Sequence, residues 1–241
     1  MKRPIDKKNI KSIVVKVGTS ILTQKGRFDR GLIGKLALEV SDFLKKGISV
    51  SIVSSGAIGA GMMILKEKNR PKTMEGLQAA AAVGQRYLMQ CYEESFSKKG
   101  FSTAQVLLTW DDMAHPKRFL NAKRTLKEIQ KRGLVPIINE NDTVATDEIR
   151  FGDNDRLSAL LSILVEADLM FFILCLFSQT VPFMPAETPT VLRVWLPLER
   201  TKPFMEVGLM TQLLLNSILT VSYSGQLIME VCFTIFLRLL R

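Results

Sequence analysis

The 241-residue chain has one histidine, His115, and three cysteines, Cys91, Cys175 and Cys232. Neither set has the spacing of a metal site, and the cysteines lie in apolar stretches that suit reduced, buried thiols. His115 stands beside Pro116 and reads as a surface loop residue. No apolar run approaches the ~20 residues a spanning helix needs, so no membrane role is expected. The stretch MKRPIDKKNIK has no apolar segment behind its charges, so no signal peptide is expected there. A cytoplasmic protein is the expectation. There is no GxxxxGK[ST] phosphate loop, no internal repeat and no low-complexity segment. Lysine and arginine outnumber the acids by 33 to 23, which favours an anionic partner. The excess is scattered in pairs such as Lys45-Lys46 and Lys98-Lys99, several at expected helix ends. Without a basic stripe interleaved with aromatics, nucleic acid is not expected as that partner.

Against this basic background one stretch is acidic. Ile137–Leu161 reads IINENDTVATDEIRFGDNDRLSALL. It follows an apolar run, Leu134 to Ile138, short and β-branched enough for a buried strand. It then carries Asn139, Glu140, Asn141, Asp142, Asp147, Glu148, Asp153, Asn154 and Asp155. Leu157, Leu160, Leu161 and Leu164 form an i, i+3, i+4, i+7 stripe, so the last acids fall on the first turn of an amphipathic helix. A helix cap needs one such residue, and Asp153 alone would serve. Nine point to a site.

Taken in order, Ser12–Val17 is a strand that delivers Lys16 and runs into Gly18-Thr19-Ser20. A lysine followed by a glycine-hydroxyl turn offers an ammonium and backbone N–H groups to phosphate oxygens. Asp29 caps a helix striped by Leu32, Ile33, Leu36, Val40, Phe43 and Leu44, which ends at Lys45-Lys46-Gly47. Ile48–Val53 is a second strand. The glycine- and serine-rich Ser54–Gly61 follows it as a loop, at the strand end where open α/β sheets bind ligands. Lys66–Thr73 is a charged loop. Gly76–Phe96 is a long helix whose small patch, Ala79 to Gly84, suits close helix packing. Thr103–Thr109 is a strand, Arg118–Lys131 a helix capped by Gly133, Leu134–Ile138 a strand, Asn154–Val165 a helix, and a further strand starts at Leu169. Strands alternating with helices imply a mainly parallel sheet covered on both faces.

Beyond Met170 the composition changes. The first 170 residues hold ten aspartates and the last 71 hold none, while seven of thirteen phenylalanines and five of nine prolines fall in that tail. Neither strand alternation nor a cap-and-stripe helix pattern continues there. The abrupt onset is consistent with translation out of frame.

The motifs VVKVGTS, SSGAIGAG, AAAAVGQ, RFLNAKRTL and PIINENDTVATDEIRFGDNDRLSAL, in this order, resemble the front two-thirds of the glutamate 5-kinases of the amino acid kinase family, over about residues 12 to 170. The resemblance implies a three-layer α/β/α sandwich with a mainly parallel sheet, its C-terminal part incomplete or aberrant. It implies two parts: an N-terminal acceptor-binding kinase part at 1–170, and at 171–241 a divergent apolar tail in place of the ATP-binding part. It implies ATP-dependent phosphorylation of the L-glutamate side-chain carboxylate with Mg²⁺, the first step of proline biosynthesis, in a homo-oligomer that proline feeds back upon. By the same resemblance Lys16 would meet the transferring phosphoryl group, with Gly18, Thr19 and Ser20 at the ATP phosphates. Ser55, Gly56, Ala57, Asp142 and Asn154 would hold glutamate, and Asp155 would help organise the site by orienting Lys16 or other cationic groups. Asp142 suits the substrate ammonium, whereas Ser55 and Asn154 suit its carboxylates as neutral donors. No metal ligand is expected from the protein. The family carries a Ser-Asp or Thr-Asp pair after the strand near Leu169, and later a Gly-Gly-Met segment ending in lysine. Here Ser178–Pro182 has no acid, and Gly208-Leu209-Met210-Thr211-Gln212 lacks both the glycine pair and the lysine. That departure keeps open an alternative: a non-catalytic amino-acid-binding or interaction protein derived from such a kinase.

Overall fold

Val14 and Lys16 point to one side of the first strand, and Ile13, Val15 and Val17 to the other, because side chains alternate along a strand. Both sides are buried, and that requirement organises the computed structural model, which describes residues 10–24, 27–145, 153–176 and 190–197. The strand is β1 (Ser12–Val17). A short α1 (Thr19–Leu22) and a two-stranded ribbon, β2 (Thr23–Gln24) with β3 (Arg27–Phe28), lead to α2 (Arg30–Lys45). The chain continues through β4 (Ser49–Ser54), α3 (Ala57–Leu65), α4 (Met74–Ser97) and β5 (Thr103–Leu108). Then come α5 (Trp110–Ala114), α6 (Pro116–Lys131), β6 (Val135–Glu140), α7 (Asp153–Leu164), β7 (Leu169–Leu176) and β8 (Thr190–Pro197).

The main sheet has the order β5-β6-β4-β1-β7-β8. Its first five strands are parallel and β8 runs antiparallel to β7. On one face Ile13, Val15 and Val17 pack with Ile33, Leu36 and Val40 of α2 and Leu88, Tyr92 and Phe96 of α4. On the other, Val14, Val53 and Ile138 pack with Leu126 of α6 and with Leu157, Leu160, Leu161 and Leu164 of α7. Each buried leucine contributes roughly 1.5–3 kcal/mol, so the α7 stripe holds the polar first turn of that helix over β1. The three-layer α/β/α sandwich expected from the sequence is the fold found.

Most expected elements appear within a residue or two of their expected bounds. Asp29 caps α2 by accepting from the Leu32 N–H at 3.0 Å, and Gly47 and Gly133 follow their helices with positive φ. Three differences have physical reasons. Ser54–Gly61 is not a loop: the chain turns at Ser55-Gly56, where Gly56 takes φ +97°, and is helical from Ala57. The helix α5 escaped notice because five residues carry no periodicity; it rests on a capping box between Thr109 and Asp112. Finally, the expected break at 170 falls inside β7, and the tail contributes β8, whose backbone pairs Thr190 with Leu176 through Pro197 with Leu169. Ser178–Pro182 and Gly208–Gln212 lie outside the described residues, as do Cys232, Asp147 and Glu148.

The small residues of α3 and α4 are there for contact. A Cβ on Gly61 would meet the Ala80 carbonyl oxygen at 1.8 Å, and one on Gly84 would meet that of Ala57 at 1.8 Å. Backbone cannot yield as a side-chain tip can, so Gly61→Ala should cost at or above the top of the roughly 1–3 kcal/mol typical of overpacking. Gly34, inside α2, has nothing within 4 Å of its would-be Cβ, and Gly34→Ala should stabilise by up to about 1 kcal/mol through helix propensity. Urea unfolding of the two variants measures both; equal midpoints would refute the close-approach argument.

The far end of α4 is tied to β5 by Glu93, whose Oε2 accepts from the Thr103 N–H at 2.9 Å and from its hydroxyl. These bonds, the Thr103 hydroxyl foremost, hold the Glu93 carboxyl below its ordinary value near 4.5. A depressed carboxyl adds stability that is complete above the unfolded value and fades as pH falls through the folded one. Glu93→Gln should therefore cost about 1 kcal/mol at pH 7, discounted for partial exposure. The gap in melting temperature between parent and variant should narrow as pH falls from about 4.5 through the lowered folded value. A gap as wide at pH 3 as at pH 7 would contradict this origin.

Candidate functional site at the carboxyl edge of the sheet

Because β1, β4, β6 and β7 are parallel, their carboxyl ends open on one edge, and α7 begins over the same edge. Lys16 is the penultimate residue of β1, level with Val53 of β4 and Phe172 of β7. It lies on the α7 side of the sheet with 6% of its surface exposed. A buried ammonium needs a counter-charge, and Asp155 in the first turn of α7 provides it as a direct ion pair with Lys16 Nζ. The Asp155 side chain keeps 36% exposure, so the pair lies at the rim of the crevice.

Next to Asp155, Asn154 reaches across to β4 and β6. Its Nδ2 donates to Ser55 Oγ at 2.9 Å and to Asn139 Oδ1 at 2.9 Å. Asn139 Nδ2 in turn donates to Gln85 Oε1 of α4 at 2.9 Å. Both Asn154 donors are thus engaged, and the atom of that side chain left buried without a partner is Oδ1. The expected use of Asn154 as a donor to a ligand carboxylate does not match this arrangement; what it presents is an acceptor. Ser55 accepts from Asn154, which leaves its hydroxyl proton to be given elsewhere.

The Ser54-Ser55-Gly56 turn is braced from below. Tyr92, fully buried in α4, donates its hydroxyl to Ser54 Oγ at 2.9 Å. Burial pushes the Tyr92 phenol above its ordinary range, so it stays a neutral donor. Ser55 N–H bonds the Val17 carbonyl at 3.0 Å, carrying the β1–β4 ladder into the turn. Ala57 is the first residue of α3.

The remaining expected residues are placed more loosely. Gly18 N–H is engaged with the Ile173 carbonyl of β7 at 3.4 Å, so it is not an open phosphate donor. Thr19 and Ser20 form the first turn of α1, and Thr19 O accepts from Thr23 Oγ1. Asp142 is half-buried on the turn after β6. Gln85 and Tyr92 were not singled out as site residues; Gln85 closes the AAAAVGQ motif, but nothing in a helix pattern shows that it reaches Asn139. Among the described residues no group of three or more His, Cys, Asp and Glu side chains is placed to hold a metal. No described helix is long and apolar enough to cross a membrane.

A parallel sheet between two helical layers, with a buried lysine, a carboxylate partner and converging amides at its carboxyl edge, is an α/β protein whose polar groups gather where open sheets of this kind meet their ligands. Residues 11–173 match the amino acid kinase family. The chain is 51% identical to the glutamate 5-kinase of Nitrosococcus oceani over 166 residues, 68% of this chain and 44% of that protein. It is 52% identical to the glutamate 5-kinase of Methylobacillus flagellatus over 161 residues, 66% and 43% of the two chains. With that of Geobacter sp. strain M21 it shares 50% over 164 residues, 68% and 44%. The chain belongs to the amino acid kinase family. It spans less than half the length of these curated relatives.

The Lys16–Asp155 pair should behave as a unit in stability. Asp155→Leu strands a buried ammonium and should cost about 2 kcal/mol, below the roughly 3–5 kcal/mol of a fully buried pair because Asp155 is partly exposed. Adding Lys16→Met should recover most of that loss. A double variant no more stable than Asp155→Leu alone would show that the two are not coupled.

Proposed function

We propose that residues up to β7 form the acceptor half of a glutamate 5-kinase, the enzyme that transfers the γ-phosphoryl group of ATP to the side-chain carboxylate of L-glutamate. The observation that carries this reading is the ion pair of Lys16 with Asp155 beside the Ser55–Asn154–Asn139 amide cluster. Glutamate lies along the carboxyl ends of β4 and β6. The Ser55 hydroxyl donates to a carboxylate, and Asp142 and Asn154 Oδ1 accept from the ammonium. A carboxylate oxygen attacks the γ-phosphorus, and ADP departs with the bond to its bridging oxygen broken. Transfer of this kind needs alignment and positive charge on the equatorial oxygens more than a covalent intermediate. Lys16 supplies that charge, and Asp155 keeps the ammonium aimed by holding it from the solvent side. The ATP phosphates would hold Mg²⁺, which would offset part of their charge, as suits a cation that retains much of its water.

The nucleotide half is where this chain departs from the reading. In place of the Ser-Asp or Thr-Asp pair and the Gly-Gly-Met segment with its lysine, residues 171–241 form an apolar tail. Losing a second phosphate-facing cation removes several kcal/mol of transition-state stabilisation. That sequence observation favours a second reading, a glutamate-binding protein without kinase turnover. Action in the cytoplasm, homo-oligomerisation and inhibition by proline are carried by the family resemblance.

Calorimetry with L-glutamate and a coupled assay of ADP release divide these readings. The expected result is glutamate binding that does not require ATP, with ADP release far below the roughly 1–100 s⁻¹ of working kinases. Glutamate-dependent ADP release at an ordinary rate, abolished by Lys16→Ala, would overturn the expectation of inactivity. Absence of glutamate binding and of turnover alike would sink the acceptor-site reading itself.

A further inference from the structure

Three amides, Gln85, Asn139 and Asn154, link α4, β6 and α7 into one hydrogen-bonded chain that ends on Ser55. Gln85 and Asn139 are buried, at 9% and 2% exposure, and Asn154 is half-buried with its Oδ1 atom shielded from solvent. A carboxamide has an acceptor end and a donor end, so fixing one end of such a chain fixes the sense of every member. Here Gln85 Oε1 takes the Asn139 donor, Asn139 Oδ1 therefore faces Asn154 Nδ2, and Asn154 is left presenting Oδ1. At the two ends stand a buried donor and a buried acceptor without partners, Gln85 Nε2 and Asn154 Oδ1. An unpaired buried acceptor is costly, and Asn154 Oδ1, beside the Lys16–Asp155 pair at the carboxyl edge of the sheet, is the end that an incoming donor can satisfy.

We propose that Gln85 is a positioning residue: through Asn139 it sets the sense of the Asn154 amide, so that the site presents an acceptor to a cationic group of its ligand, which under the acceptor-site reading above is the α-ammonium of glutamate. Gln85 touches no reacting atom. Its role is to make the site discriminate an amino acid from the corresponding plain dicarboxylate. With a side chain at 85 that has no acceptor, the Asn139 amide loses its anchor. The chain is then free to reverse, and Asn154 turns Nδ2 outward, a donor that suits a carboxylate and repels an ammonium.

The test uses the whole chain and three variants: Gln85→Met, which removes the acceptor; Gln85→Glu, which keeps one at the same reach; and Gln90→Met, the same change at an exposed position of α4 where the side chain bonds Glu94. The first readout needs no ligand: ¹⁵N–¹H spectra of the side-chain amides. Asn139 and Asn154 should show shifted resonances and at least tenfold faster hydrogen exchange in Gln85→Met, with parent-like behaviour in Gln85→Glu and Gln90→Met. Amide spectra of Asn139 and Asn154 unchanged by Gln85→Met would overturn the relay. The second readout is affinity for L-glutamate against glutarate, which lacks the ammonium. The parent and Gln85→Glu should prefer glutamate, and Gln85→Met should lose at least tenfold of that preference. An unchanged preference in Gln85→Met would overturn its role in discrimination. If no form binds either compound while the amide spectra respond as stated, the relay stands and the glutamate reading fails.

Discussion

A lysine ammonium buried between two helical layers is the constraint on which the rest of this architecture depends. Lys16 lies in the central strand with neighbours paired on both sides, so it cannot retreat to solvent without unpicking the sheet. Its charge is tolerable there because Asp155 comes down on it from α7. That helix is held over β1 by Leu157, Leu160, Leu161 and Leu164, an apolar stripe packed on the same sheet face as Val14 and Val53. The hydrophobic packing of one face of α7 thus delivers the polar first turn of the same helix to the place where charge must be neutralised. Burial and chemistry are satisfied by one placement.

The same economy operates on the other side of the crevice. The α3–α4 contact is so close that Gly61 and Gly84 have no room for a Cβ. That closeness lets α4 contribute side chains directly beneath the β4 turn: Tyr92 to Ser54 and Gln85 to Asn139. The glycines of SSGAIGAG therefore serve the site indirectly. Only Gly56, at φ +97°, serves the turn itself; Gly59 and Gly61 serve the approach of Thr23 and Ala80. Reading all of them as a ligand-cradling loop conflated two uses of the absent side chain, free backbone geometry and free space.

This divides what was legible in the sequence from what was not. Strands and helices follow from periodicities of two and 3.6, and caps such as Asp29 and Gly47 from local hydrogen bonding, so nearly all of the parallel framework could be read directly. The acidic stretch stood out because it contrasted with a basic chain. What could not be read was pairing across distance. Asn154 meets Ser55 across 99 residues and Gln85 meets Asn139 across 54, and no spacing rule connects them. Nor can composition say which end of an amide is spent, which is why Asn154 was expected to donate. The change in composition at Met170 is a signal of another kind. It concerns side chains, whereas backbone pairing answers to hydrogen bonds, and the strand expected to start at Leu169 runs through it to an antiparallel partner, β8.

Among the described residues, the side chains of the polar cluster sit on β1, β6, α4, α7 and the turn after β4. What β7 contributes is lateral: it completes the ladder of β1, accepts the Gly18 N–H, and ties in at its start through Asp168, which accepts from the Lys11 and Ser12 N–H groups. A strand whose sequence need only be apolar and extended meets those demands, and β8 covers the edge that β7 would otherwise leave open to a second chain. The Lys16–Asp155 pair and the Ser55–Asn154–Asn139 cluster therefore rest on the framework up to β7, and what they ask of β7 and β8 is backbone: a paired neighbour for β1 and a covered edge.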